Sequence, residues 1–308
     1  MNLQKTGRLL LLSTLISGGL NAQVTATVPI KRSGTIVADG ARLQLIADQF
    51  SFTEGPAADK KGNVFFTDQP NNKIWKYSTS GELSIFMDSA GRSNGMYFDR
   101  KGNLLTCADE HNQLWSISPK KEVTVLLKDL YGVHFNGPND LWVDGKNNIY
   151  FTDPYYQRDY WTRKAPELAA QNVYYFQKGK APVVVADSMI RPNGIIGTAD
   201  GKYLYIADIG AVKTYRFNIE TDGRLSNKIL FTDKGSDGMT IDEKGNIYLT
   251  GNGVRVFDPQ GKQIEQIDVP ASWTANVTFG GKKKNVLFIT ASKAVYTLQM
   301  KVRGGNKK

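Results

Sequence analysis

The chain is built of short apolar bursts separated by polar turns. Ala41 to Asp48 (ARLQLIAD) alternates apolar and polar side chains and predicts a short strand. Runs such as Val64-Phe65-Phe66-Thr67 and Ile149-Tyr150-Phe151-Thr152 are rich in β-branched and aromatic residues, the composition of buried strands. No stretch sustains the spacing of a long amphipathic helix. Turns of the form Asp-x-x-Gly-Asn recur at Asp59 to Asn63, Asp99 to Asn103 and Asp242 to Asn246. Their Gly and Asn tolerate the positive φ of tight hairpins.

This grammar repeats. Six segments open at Glu54, Asn94, Asn139, Asn193, Asp237 and Asn276. Each reads strand, turn, strand, turn, strand, turn, strand, except that the sixth stops one strand early, after Met300. Such repeats around an axis make a β-propeller whose blades bury their faces against their neighbours. The prediction is an all-β, six-bladed propeller with four antiparallel strands per blade, over residues 41–301. The N-terminal strand from Arg42 to Ala47 completes the last blade and hides an otherwise open edge. Residues 23–40 are expected to be an irregular lead-in and 302–308 a basic tail. The longest insertion, Tyr155 to Gln171, follows the second strand of the third blade. It predicts either a surface excursion with a short helix at Pro166 to Gln171 or a lid over one face of the ring.

Composition changes this picture little. With 308 residues, 41% hydrophobic and 22% charged, the chain is of ordinary globular type. The net charge of +10 admits a nucleic-acid partner, but the lysines sit in turns or gather at Lys282-Lys283-Lys284 and the C-terminus, so no nucleic-acid partner is expected. Lys5 and Arg8 precede an apolar run from Leu9 to Leu20, with a small residue, Ala22, before Gln23. Residues 1–22 therefore read as a signal peptide, and the protein as exported, periplasmic or secreted. The apolar run is too short for a comfortable membrane span, so none is expected after its removal. The one cysteine, Cys107, forms no internal disulfide and reads as a small buried hydrophobe. A monomer is expected.

In a propeller the first strand of each blade lines the central channel. Glu54, Asn94, Asn139, Asn193, Asp237 and Asn276 then share one height around the axis. Asn-Gly and Asp-Gly pairs also make common hairpin turns, but here the downstream Gly-Asn elements already supply the turns. Two carboxylates among several amide oxygens in a narrow channel call for a cation. Oxygen-only donors suit a hard ion, Ca²⁺ or Mg²⁺, and no His/Cys cluster selects zinc.

Phe52-Thr53-Glu54-Gly55-Pro56, Phe135 to Asp140 (FNGPND), Phe151-Thr152-Asp153-Pro154, Arg191-Pro192-Asn193-Gly194 and Ser236-Asp237-Gly238-Met239 occur in this order. The chain in this respect resembles the senescence marker protein/gluconolactonase/luciferin-regenerating-enzyme family. The resemblance implies a six-bladed propeller with one divalent metal in the channel, Ca²⁺ foremost, with Mg²⁺, Mn²⁺ or Zn²⁺ as alternatives. It implies hydrolysis of a small-molecule lactone, a sugar lactone in many members. Motif by motif, it puts the metal ligands on Glu54, Asn193 and Asp237, and the general base on Asp237 again. It puts Asn139 near the metal and in reach of substrate, and Asn139 or Asn94 could donate to the oxyanion of a lactone under attack. His134 stands where many gluconolactonase relatives carry a basic residue that contacts substrate. Asp153, Tyr155 and Arg191 are rim candidates, and His111, the other histidine, ranks below His134. Two rival readings stay open: a propeller that binds a carbohydrate or a partner around a structural metal, and an enzyme of this architecture with other chemistry, such as phosphotriester hydrolysis or a lyase step.

Overall fold

The computed structural model describes residues 27–28 and 36–305. The signal segment 1–22, most of the lead-in and residues 306–308 lie outside the described residues. Six antiparallel sheets follow one another along the chain. The first blade comprises Thr53–Ala58, Val64–Asp68, Lys73–Tyr77 and Leu83–Asp88. The second comprises Ser93–Phe98, Leu104–Ala108, Gln113–Ile117 and Val123–Leu127. The third comprises Leu141–Val143, Ile149–Thr152, Gln171–Phe176 and Val183–Met189. The fourth comprises Pro192–Gly197, Tyr203–Asp208, Lys213–Ile219 and Leu225–Thr232. The fifth comprises Met239–Ile241, Ile247–Gly251, Gly253–Phe257 and Gln263–Ile267. The sixth has Asn276–Gly280, Val286–Ala291 and Ala294–Gln299 from the C-terminal end of the chain. The first strands of consecutive blades contact one another all round, and that of the sixth contacts that of the first. The molecule is a closed six-bladed β-propeller.

The predicted closure is present. Leu43–Ala47 pairs antiparallel with Ala294–Gln299, with Gln44 opposite Thr297 and Leu45 opposite Tyr296. Two stretches that the sequence places outside the ring also take part in it. Thr27–Val28 pairs with Leu43 and Gln44 as a fifth strand of this sheet, and Ile36 and Val37 are buried in place of an irregular lead-in. Past Met300, Val302 is buried and Gly305 donates its N–H to the Ile241 carbonyl at 2.9 Å. Both arrangements follow from the same need, since an uncovered outer edge leaves strand N–H and C=O groups unpaired. The short helix expected at Pro166 to Gln171 is absent: residues 167–170 are bends, and Gln171 opens a strand. Among the described residues the helical segments are two single 3₁₀ turns, Gln69–Asn71 and Asp109–His111.

Apolar clusters lie between the blades. Phe50, Phe66, Phe288 and Val295 join the first blade to the sixth. Leu43, Tyr248, Val277 and Leu298 join the closing strand to the fifth and sixth. The stability of the ring therefore rests on inter-blade contacts. Leu43 has no exposed surface. Leu43→Ala is expected to cost about 2–5 kcal/mol, read from urea unfolding, and to open the closing sheet more than the others in hydrogen exchange.

Candidate active site in the channel

Each first strand crosses the ring from one face to the other, and the second strand returns. The chain leading into each first strand and the second-to-third connections therefore share a face. Glu54, Asn94, Asn139, Asp140, Asn193, Asp237 and Asn276 all lie at that end of the first strands. Pairing slips there in three blades, between Glu54 and Ala57, Ser93 and Met96, and Pro192 and Ile195. Such bulges re-aim side chains.

The Asn-Gly and Asp-Gly pairs have a steric reason, which is not the making of a turn. A Cβ on Gly238 would fall 1.9 Å from Cγ of Asn276, and one on Gly95 would fall 2.4 Å from Oδ1 of Asp140. Each glycine makes room for a polar side chain of the next blade. Asn276 uses that room to donate from Nδ2 to Oε2 of Glu54 at 3.1 Å, while the Gly55 N–H donates to the same oxygen at 2.6 Å.

Three carboxyl groups gather here. Burial, followed by the charge of Asp237, pushes Glu54 well above the usual carboxylate range. Burial raises Asp237 to about 6, against the Trp273 and Asn193 donors that favour its charge. Asp140, which was not among the predicted ligands, is raised to about 7, again chiefly by burial. Glu54 and Asp237 are therefore not the only charged members of the ring: Asp140 follows Asn139 and occupies the room left by Gly95.

Asp237 is held from two sides. Trp273 Nε1 donates to Oδ2 at 2.6 Å and Asn193 Nδ2 to Oδ1 at 2.9 Å. Asn193 Nδ2 also donates to the Tyr156 hydroxyl at 3.0 Å. Tyr156 belongs to the third-blade insertion, so that insertion reaches the channel site. It is anchored on Asp109: Arg158 Nε donates to Oδ2 at 3.1 Å, the Tyr160 hydroxyl to the same oxygen, and Trp161 Nε1 to the Asp109 carbonyl at 2.9 Å. Arg163 stacks over Trp161, 4.1 Å from its centroid, and donates to the Asn136 carbonyl. Residues 155–171 thus reach from Asp109 on the second blade to Asn193 on the fourth, beside the channel site.

The remaining candidates are dispersed. Asn94 and Asn139 are buried at the ends of neighbouring first strands, and the Asn139 carbonyl accepts the Gly95 N–H at 2.8 Å. Asp153 has no exposed surface, and its two oxygens accept the N–H groups of Asn136 and Gly137 at 3.0 and 2.8 Å. It supports the loop ahead of Asn139 and offers no free face to a ligand. His134 Nδ1 pairs with Glu167 at 2.8 Å on the exposed flank of the insertion, and His111 stacks on Trp115. Neither histidine bonds to the three carboxyl groups. Tyr155 lies under Arg163, 5.2 Å from ring centroid to guanidinium. Arg191 stands on Tyr156. Cys107 is buried, which pushes its thiol up and disfavours the thiolate.

Among the described residues no three His, Cys, Asp or Glu side chains enclose an ion by themselves. The donor chemistry nonetheless fits a hard divalent cation. Carboxyl groups raised by burial, and in Glu54 and Asp140 also by the charge of Asp237, are stabilised by an added cation, and Asn193 contributes an amide beside them. As oriented, that amide directs its N–H groups to Asp237 and Tyr156. Ligation through its oxygen needs a turn of the amide about its last torsion.

Fold and site together define a six-bladed propeller with carboxylates and amides gathered at one end of its channel. Residues 52–293 match the model of the SMP-30/gluconolactonase/LRE-like region, and the chain belongs to that family. A gluconolactonase of Zymomonas mobilis is 25% identical over 320 residues, covering 94% of this chain and 89% of the relative. A gluconolactonase structure from Xanthomonas campestris superposes with a TM-score of 0.80 at 26% identity, covering 90% of this chain and 98% of that one. A calcium-binding protein, regucalcin from Agrobacterium tumefaciens, shares the fold with a TM-score of 0.72 at 18% identity, over 85% and 94% of the two chains.

Glu54, Asp140 and Asp237 bind protons more tightly folded than unfolded. Without a cation, stability from Asp237 and Asp140 is therefore present below the ordinary carboxylate range and is lost as pH rises through about 6 and about 7, and that from Glu54 is lost in the same direction. Calcium should offset that loss. The rise in melting temperature on adding calcium to chelator-treated protein is expected to be larger at pH 8 than at pH 5, and equal rises would count against a cation at these carboxylates.

Proposed function

We propose that this protein is an exported, divalent-metal-dependent hydrolase that opens a lactone ring, with sugar lactones as its substrate class. The reading is carried by the meeting of Glu54, Asn193 and Asp237 at one end of the channel, on a chain of this family. Glu54, Asn193 and Asp237 would hold the ion, and their hard oxygen donors favour calcium. When bound, the ion supplies Lewis-acid polarisation of the lactone carbonyl and acidifies water.

Asp237 then acts as general base. Trp273 Nε1 occupies one lone-pair position of Asp237 Oδ2 and helps fix the carboxylate plane, which leaves others for the attacking water. As a ligand of the ion, Asp237 is a weaker base than burial alone would make it, so proton transfer to it relies on the attacking water being acidified as well. Water oxygen bonds to the lactone carbonyl carbon as its proton passes to Asp237. Asn139 and Asn94 are the amides of the ring placed to donate to the resulting oxyanion. The ring C–O bond breaks, the proton on Asp237 goes to the departing alkoxide, and a hydroxy acid results. The lid, with Tyr156 at its tip, limits water at the site.

The test is a panel of aldonolactones and simple esters, with and without chelator. Lactones are expected to be opened only with metal present. Asp237→Ala should lower kcat/KM by about 10²–10⁴-fold while the β circular-dichroism signature is retained; unchanged turnover would overturn the role given to Asp237. Export rests on Lys5, Arg8 and the apolar run after them. N-terminal sequencing of protein recovered outside the cytoplasm is expected to begin at Gln23, and an intact Met1 there would refute cleavage.

A further inference from the structure

The rim carries an arginine that the reaction above does not use. Arg191 is exposed, but its backbone is rigid: its N–H donates to Asp208 Oδ1 at 2.9 Å, and its carbonyl accepts the Ile209 N–H at 3.0 Å. Its guanidinium lies 5.0 Å from the centroid of the Tyr156 ring. Arg158 lies over the same ring at 5.6 Å, but its charge is met by Asp109 at 3.1 Å. Arg191 forms no ion pair with a carboxylate of the described residues. The hydroxyl at the other end of Tyr156 touches Asn193, which touches Asp237.

One tyrosine thus links the reacting centre to an uncompensated, planar cation on a fixed base. A guanidinium held this way presents parallel N–H donors suited to a carboxylate or sulfonate, and stacking on an aromatic face orders it in advance. A lactone with its carbonyl at the carboxylates would turn its far end toward Tyr156 and Arg191.

Resting on the lactonase reading above, we propose that Arg191, ordered on Tyr156, is a specificity residue. It selects lactones that carry a second, anionic group at the end of the molecule remote from the ring carbonyl. A bidentate contact to that group adds binding energy that a neutral lactone cannot draw on. The opposing view is that Arg191 only offsets the general negative charge of the channel; it then affects all lactones alike.

The experiment compares glucarolactone, which bears a free carboxylate, with neutral gluconolactone, on wild-type protein, Arg191→Ala and Arg191→Lys. Wild-type protein is expected to have the higher kcat/KM for glucarolactone. Arg191→Ala should reduce kcat/KM for glucarolactone at least tenfold more than for gluconolactone, mainly through KM, and Arg191→Lys should fall between. Circular dichroism and melting temperature confirm that both variants fold. Parallel losses on the two lactones, or no change in their ratio, overturn the proposal. If wild-type protein opens neither lactone, the lactonase reading fails, and titration calorimetry with glucarate against glucitol decides the recognition itself. A tenfold weaker glucarate affinity in Arg191→Ala then upholds it, and equal affinities overturn it.

Discussion

The candidate site depends on a single seam. Glu54 and Asn276 are far apart in the chain, yet Asn276 donates to the Glu54 carboxylate. That contact exists because the first and sixth blades are joined by the N-terminal strand. Thr53, the neighbour of Glu54, is bonded twice across the join to the sixth blade: its Oγ1 donates to the Ala294 carbonyl at 2.9 Å and accepts the Ala291 N–H at 3.1 Å. Ring closure and site assembly are in this sense one event. A loosened seam would move Glu54 away from Asp237 before it unfolded any other blade.

Closure has an electrostatic cost. It gathers Glu54, Asp140 and Asp237 where water is scarce and where burial dominates their proton affinities. Charges buried this way stay ionised only with compensation. The chain supplies some of it with neutral donors, namely the Gly55 N–H, Asn276, Trp273 and Asn193. A bound cation would supply the rest. Arrangements that are unfavourable when empty and favourable when filled are what a metal-dependent site needs, so the repulsion here is part of the design of the channel.

The fold was largely legible because its signals are local. Each strand burst and each Asp-x-x-Gly-Asn turn is readable within its own few residues, and the count of six openings matches the six blades. Glu54, Asn94, Asn139, Asn193, Asp237 and Asn276 were legible as a group because they hold a fixed place in that repeat, which by itself does not single out Asn193 among the asparagines. Asp140 was not, because it stands one residue after the repeat position, behind Asn139. The signal for it was present: Asp140 fills the position of the glycine that follows Asn94, Asn193 and Asp237. Trp273 and Tyr156 come from a connection and an insertion, which have no period, so only three-dimensional structure brings them to Asp237. Asp153 was misleading for the opposite reason. It belongs to a clear motif, but its oxygens are spent on backbone amides.

The lid shows how the irregular part of the chain is subordinated to the regular part. Its anchor, Asp109, lies on the second blade, whereas its tip, Tyr156, meets Asn193 on the fourth. The insertion therefore spans the mouth beside its own third blade and is held at both flanks. Arg158 is committed to the anchor, and its charge is met there. Arg191 comes from the ring itself and lies over the Tyr156 ring. A ligand entering the channel consequently meets a wall in which one arginine is structural and the other is free to bind. This division of labour assigns the lid to shape the site and the rim to choose what enters it.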